Sequence, residues 1–270
     1  MDFTVATYNV LATAYIKPEW YPLTPKELLD PRPRIPVLVE HLVQLRADIF
    51  CLQEVEEGTY TAIAQRLSSL GYDGTWARKG GNKPDGCATF FRTQAFEPVR
   101  VARVEYQDAD AGRSPSGHIA QLLVLKTGPR FLGVANTHLK WDPPHVPQEQ
   151  QYGYRQMRQL LQERSGQAPE CSGWVLCGDL NVTADSAVVA LLRASGFAFS
   201  HAGCAPAATC NSNRRAKMID FVFHDRALRA EPVALPVVDD HTPLPGPAQP
   251  SDHVAVLARL AWRELEQEEA

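Results

Sequence analysis

Apolar runs of strand length recur along the chain, and most of them stop on polar residues. The first, Phe3-Thr4-Val5-Ala6-Thr7-Tyr8-Asn9-Val10-Leu11, is rich in β-branched and aromatic residues and predicts a strand. The proline-rich stretch 18–36 predicts a loop, and 37–45, with apolar residues at helical spacing, predicts a helix. Residues 48–55 are continuously apolar until Gln53 and Glu54, the pattern of a strand buried on both faces with Glu54 at its tip. A helix over 59–70 closes on Gly71. Beyond it the pattern predicts strands at 87–92, 99–106, 119–126 and 131–138, a helix near 148–164 and a buried strand at 174–179. A helix at 186–195 and strands at 218–224 and 254–262 complete the series, and the proline-rich stretch 232–250 reads as a surface loop. Strands and helices mix over the whole length without a repeat. This predicts one α/β domain, residues 1–270, of two packed sheets covered by helices.

Composition narrows the class. With 44% apolar and 21% charged residues, the chain buries a sizeable core and is neither disordered nor fibrous. No apolar run approaches the roughly 18 residues of a membrane span. The start lacks a basic segment followed by an apolar one, so no secretory signal is expected. None of the six cysteines forms a CxxC pair, which argues against structural zinc. Cys51, Cys87 and Cys177 lie in apolar stretches and read as reduced core thiols of a cytoplasmic protein. Cys204 and Cys210 read as two unrelated thiols, with a disulfide as the alternative. The net charge of −4 argues against a protein that grips long duplexes by bulk electrostatics.

The candidate chemistry sits where strands stop. Asn9, Gln53-Glu54, Asn136-Thr137-His138, Gly178-Asp179-Leu180-Asn181, Ile219-Asp220-Phe221 and Ser251-Asp252-His253 all occupy such positions. Strand ends on one edge of a sheet converge, so these side chains can share a pocket. Carboxylates with amides and histidines but no thiolate suit Mg²⁺ or Mn²⁺ rather than zinc. A histidine steadied by an acid can take a proton from water. Together they imply attack of water on phosphorus, with a metal absorbing charge on the phosphate oxygens.

In kind and order these motifs resemble the endonuclease/exonuclease/phosphatase superfamily, from Thr7-Tyr8-Asn9 to Ser251-Asp252-His253. Asp85-Gly86-Cys87-Ala88-Thr89-Phe90-Phe91 and Asn136-Thr137-His138-Leu139-Lys140-Trp141-Asp142-Pro143 resemble its deadenylase, nocturnin, Angel and phosphodiesterase-12 branch. Gly178-Asp179-Leu180-Asn181 does too, with Leu180 in place of the branch's usual Phe. The resemblance implies the DNase-like four-layer α/β sandwich. It implies that Glu54, assisted by Asn9, holds the principal Mg²⁺ and that Asp252 is a second metal ligand. Asp179 would bind the attacking water or a second metal, Asn181 would contact the phosphate, and His138 would donate to a phosphate oxygen or the leaving group. His253 would pair with Asp220, and the general base is either Asp179 or His253.

Substrate contacts are read from charge and aromaticity. Trp76, Arg78 and Lys83 belong to a glycine-rich segment, either a solvated loop or a flap meeting phosphates and a base. Arg214 and Arg215 precede Asp220 and would sit at the pocket rim, and Trp141 either stacks a base or packs. Asp239-Asp240-His241 lies in the proline-rich loop and reads as surface. The expected function is a Mg²⁺-dependent phosphodiesterase acting on single-stranded RNA, a 3′–5′ exoribonuclease with deadenylase-like preference, working as a monomer. The leucine-rich-repeat arm of the eukaryotic deadenylases is absent, so docking onto a large complex is not expected. One alternative is a phosphatase acting on 2′,3′-cyclic phosphate RNA ends or small adenine nucleotides. Another, a DNA-repair endonuclease, fits the acidic chain and the branch motifs less well.

Overall fold

The structure is a computed structural model that describes residues 2–109, 112–143, 145–167, 170–205 and 207–264. The first half of the chain carries β1 (Asp2–Asn9), α1 (Pro31–Leu45), β2 (Ile49–Glu56), α2 (Glu57–Ser68), β3 (Tyr72–Arg78), β4 (Asp85–Arg92) and β5 (Glu97–Glu105). It continues with β6 (Ile119–Thr127), β7 (Arg130–His138), α3 (Tyr152–Gln167), β8 (Gly173–Asp179), α4 (Ala187–Ala194) and β9 (Phe197–Phe199). Last come β10 (Cys210–Ser212), β11 (Arg215–Lys217), β12 (Asp220–Asp225), β13 (Leu228–Pro232) and β14 (Val256–Trp262).

Two six-stranded sheets run β13-β14-β1-β2-β4-β3 and β5-β6-β7-β8-β12-β9. Each has one parallel pair near its centre, β1 with β2 and β7 with β8. A parallel pair needs a long crossover, and α1 and α3 supply it. The inward faces meet through Val5, Ile49 and Cys51 on one side and Val134, Val175 and Cys177 on the other. The outer face of the first sheet, with Tyr8, Phe50 and Leu52, packs on Leu38, Leu42 and Ile63 of α1 and α2. The second does the same against Met157 and Leu160 of α3 and Val189 and Leu192 of α4. The expected four-layer sandwich is therefore present, and among the described residues no helix is long and apolar enough to cross a membrane.

Three local expectations are corrected. The stretch 18–36 is not loop throughout, because α1 begins at Pro31. Pro31 and Pro33 lie in its first turn, where a missing N–H costs nothing, and the Asp30 carboxylate caps the Arg32 N–H at 2.9 Å. The segment holding Trp76 and Arg78 is not loop either. It is β3, an edge strand whose residues Tyr-Asp-Gly-Thr-Trp-Ala-Arg show no clean alternation because one edge faces solvent. A second unforeseen edge strand, β13, ends at Pro232, where a missing donor is tolerated.

Candidate active site

Both parallel pairs end on chemistry. Asn9 closes β1, Glu54 lies near the end of β2, His138 closes β7 and Asp179 closes β8, so the two sheets deliver four polar side chains to one edge. Asp220 opens β12 directly opposite Asp179, and Ser251-Asp252-His253 arrives on the connection into β14.

Glu54 is not at the tip of its strand, as its position had suggested. Pairing of β2 with β4 skips between Leu52–Ala88 and Val55–Gly86, which leaves one extra residue on β2. Glu54 takes φ +57° within this bulge. The bulge re-aims its carboxylate while the strand runs on to Glu56. Gln53 points instead between the sheets, where its amide donates 2.8 Å to the Asn136 side chain and 3.0 Å to Thr7. Asn136 in turn donates to the Leu52 and Ala88 carbonyls. These two motif residues therefore weld the sheets beneath the site rather than face substrate. Gly178 is fixed by contact: a Cβ there would lie 2.0 Å from the Thr137 carbonyl oxygen, so only glycine lets β7 and β8 approach closely enough to seat His138 beside Asp179.

The centre is Asp179. Its Oδ2 accepts a hydrogen bond from Asn9 Nδ2 at 3.0 Å and lies 3.6 Å from His138 Nε2 and 3.8 Å from His253 Nε2. Its Oδ1 accepts the Asn181 backbone N–H at 2.9 Å. Asn9 also donates to Glu54 Oε1 at 3.1 Å, and Glu54 Oε2 accepts the Ala12 N–H at 2.9 Å. His253 Nδ1 bonds Asp220 Oδ2 at 2.8 Å, and the same oxygen accepts from the Thr209 hydroxyl. Asp252 accepts from Tyr21 OH at 3.0 Å and lies 4.0 Å from His253 Nε2. The structure thus gathers all eight residues expected at the core.

Burial and neighbouring acids push Asp179 up to about 7 and lift Glu54 above the usual carboxylate range. Burial opposes the charging of His253, but Asp220 and Asp252 outweigh it and carry the imidazole well above its ordinary value. His138 moves the other way, driven down by burial and then by the Lys79 ammonium. The two histidines beside this one carboxylate are thus shifted in opposite directions.

Lys79 is the residue that sequence reading missed. Its chain neighbours Arg78 and Lys83 were the expected contacts, yet Lys79 is the one that is buried. Its Nζ pairs with the buried Asp85 at 2.6 Å and lies 3.2 Å from His138 Nδ1. Tyr15 OH donates 2.6 Å to the other Asp85 oxygen. An ammonium can only donate, so His138 Nδ1 accepts and its proton sits on Nε2. That Nε2 stands 3.0 Å from the Asn181 amide nitrogen, which donates to the Leu139 carbonyl at 3.0 Å, and 3.6 Å from Asp179 Oδ2. His118, also unforeseen, donates Nδ1–H to the His138 carbonyl at 2.8 Å and packs its ring edge-on against His138. The sequence signal for Lys79 was its place just before Asp85, and nothing distinguished it from two other nearby cations.

The expected substrate contacts separate. Trp76 stacks on Tyr60 and donates to the Val55 carbonyl, so it packs and does not reach the site. Arg78 turns to the Lys83 carbonyl. Lys83 lines a cleft of about 720 Å³ beside His118. Trp141 is exposed two residues past Leu139, Arg214 borders a crevice with Trp20 and Tyr21, and Arg215 is exposed in β11. Asp239 and Asp240 bond within their own surface region, as expected. All cysteines are free, and Cys51, Cys87 and Cys177 are buried.

The donor set fits a hard divalent cation. Among the described residues Glu54, Asp179, Asp220 and Asp252 crowd together against the cations Lys79, His253 and Arg34, and Asp220 Oδ1 is buried without a hydrogen-bond partner. Asp179, Asp220 and His253 bring ligand atoms within 4.8 Å of one another. The 2.8 Å Asp220–His253 bond already occupies two of these atoms, while Glu54 accepts from Asn9 and Ala12, Asn9 Oδ1 from the Leu11 N–H and Asp252 from Tyr21.

Comparison with known proteins identifies the family and agrees with the fold. The chain is 34% identical over 192 residues to Protein angel homolog 2 of Danio rerio, covering 67% of this chain and 33% of that protein. It is 29% identical over 224 residues to the CCR4-Not complex 3′-5′-exoribonuclease subunit Ccr4 of Candida albicans, covering 70% and 28%. It therefore spans about a third of the length of such relatives. Among solved structures, ANGEL2, a 2′,3′-cyclic phosphatase, in complex with adenosine-2′,3′-vanadate superposes with a TM-score of 0.86 at 24% identity, covering 96% of this chain and 95% of that one. The human Nocturnin catalytic domain with bound sulfate gives 0.75 at 23%, covering 97% and 94%. The model of the Endonuclease/Exonuclease/phosphatase family matches residues 6–253, and with a match of that extent the chain belongs to this family.

Proposed function

We propose that the protein is a Mg²⁺-dependent hydrolase of RNA phosphodiester bonds that works from the 3′ end with deadenylase-like preference. The observation that carries this reading is the convergence of Glu54, Asn9, Asp179, Asp252 and the Asp220–His253 pair around one edge of the sandwich. Glu54, Asn9 and Asp252 would hold the ion, which supplies charge neutralisation at the phosphate. Asp179 stands where it can orient a water, and His253, braced by Asp220, is placed to take up or return its proton. On this reading His138 acts as a neutral donor whose Nε2–H, with the Asn181 amide beside it, would serve a phosphate oxygen, and Lys79 holds that tautomer. These groups form the site without a residue from a second copy, and the enzyme is proposed to work as a monomer. The relative named as a 3′-5′-exoribonuclease subunit supports RNA as substrate.

Glu54→Gln is expected to abolish Mg²⁺-dependent shortening of an oligo(A) ribonucleotide while the melting temperature stays equal or rises, because a strained buried charge is removed. Full activity in that variant removes the metal assignment. The same assay on a 2′,3′-cyclic phosphate oligomer and on small adenine nucleotides tests the end-phosphatase alternative. Opening of the cyclic end or release of phosphate, without shortening, replaces the exonuclease reading with that one.

A further inference from the structure

The strands that end at the active centre begin, at the other end of the sandwich, around a second concavity. Arg130 opens β7, whose last residue is His138, and Arg226 follows β12, whose first residue is Asp220. With Arg229 of β13 and Arg263 just past β14, they line a cavity of about 1120 Å³ beside Trp262. Among the described residues its one acidic lining residue is Glu264. Along the eight steps of β7, at about 3.3 Å each, the cavity lies on the order of 25 Å from His138.

This cluster is unusual for a chain of net charge −4. Arg32, Arg66, Arg92, Arg100, Arg103, Arg158 and Arg259 each have a carboxylate within 4.0 Å. Among the described residues, none of the four arginines around the cavity does. Two of the four are held in place. Arg130 lies over the Trp262 ring, 5.0 Å from its centroid. Trp262 itself packs where a Cβ on Gly173 would come within 2.7 Å of it. Arg263 is tied by its Nε to the Leu228 carbonyl at 3.2 Å and by its backbone N–H to the Ala227 carbonyl, so its terminal nitrogens are not used by those bonds. Four guanidinium groups that share one described carboxylate, Glu264, repel one another, and fixing them in place removes their freedom to separate. A bound polyanion relieves both costs, and the planar guanidinium fork matches phosphate geometry better than any other anion receptor among the side chains.

We propose that Arg130, Arg226, Arg229 and Arg263 form a second phosphate-binding site, remote from the active centre, for the phosphates of a nucleotide or of a single-stranded RNA. The site does not depend on the chemistry assigned to the other end of the molecule. A free nucleotide would occupy it as a separate ligand. An RNA would occupy it with a stretch of backbone distant from the end being hydrolysed.

The test measures binding to the full chain with EDTA present, so that turnover does not interfere. Pyrophosphate, ATP, and oligo(A) of about 4 and about 16 nucleotides, a range that brackets common single-strand site sizes, are titrated at two salt concentrations. Arg226→Glu/Arg229→Glu reverses charge at two exposed positions, and Arg226→Gln/Arg229→Gln is the milder companion. The expected result is an affinity loss of about tenfold or more in the charge-reversed variant, smaller in the milder one, with a shallower salt dependence and unchanged melting. Hydrolysis of a dinucleotide, too short to span the molecule, stays at the parent rate. Asp179→Asn retains the remote binding, which separates this site from the active centre. Loss for pyrophosphate and ATP assigns a free nucleotide, whereas loss for the longer oligomer alone assigns RNA. If no ligand binds more weakly to either double variant, the proposal is overturned. It is equally overturned if binding appears only after residues 265–270 are removed, since the chain's own glutamates then fill the cavity.

Discussion

At the scale of single residues, Lys79 carries more than its pairing with Asp85. The pair is almost completely buried, so removing one partner strands the other. Lys79→Met is expected to lower stability by about 3–5 kcal/mol in denaturant titrations, because the buried Asp85 loses its cation and retains the Tyr15 hydroxyl as its side-chain partner. Lys79→Met/Asp85→Asn is expected to recover most of that stability and none of the activity. Without the ammonium the His138 proton is free to move to Nδ1, and kcat falls by about 10²-fold or more. If the double variant regains activity along with stability, Lys79 is only a packing element. Sequence could not single it out. Three cations lie within a few positions of one another, and burial, which separates them, depends on where 117 and 118 cross over the loop.

Among the elements, the polar seam between the sheets sets how the site edge is aligned. Asn136, Gln53, Thr7 and Thr89 form a buried chain of hydrogen bonds that crosses from one parallel pair to the other. Asn136→Leu fills similar volume but leaves the Gln53 amide and two carbonyls without their partner. The expected cost is about 3 kcal/mol, read as a lower urea midpoint, with catalysis reduced by misalignment of Glu54 against His138. An unchanged midpoint would show that water replaces the lost bonds. Elements of the interior were legible in the sequence. β2, β7 and β8 read correctly because burial on both faces leaves an uninterrupted apolar run. β3 and β13 did not, since an edge strand alternates weakly, and the start of α1 was hidden because prolines in a first turn look the same as prolines in a loop.

For the whole molecule, buried histidines outside the site make stability depend on pH. Burial holds His41 below its ordinary value of 6.5, and its Nε2 has no partner. The unfolded chain therefore binds a proton that the folded chain refuses, so this histidine's contribution is intact above about 6.5 and is lost as pH falls below it. His41→Leu is expected to reduce the loss of stability between pH 7.5 and pH 5.5, followed by denaturant midpoints at both values. A slope identical to the parent's would place the dependence elsewhere. At this scale the core of the site was the most legible feature, because its eight residues stand at strand ends in family order. The remote arginines were the least legible, since three connections bring them together.

The first and last strands lie side by side, and the segments next to them that reach the catalytic edge are tied together. Ser251 bonds the Asn9 carbonyl, Arg34 bridges the carbonyls of Val10 and Pro250, and β14 lies beside β1. Asp252 and His253 reach their stations only when the closing strand has been made and has found the opening one. On the reading proposed above, a truncated copy that stops ahead of residue 252 lacks a metal ligand and the braced imidazole together, and is left harmless to RNA.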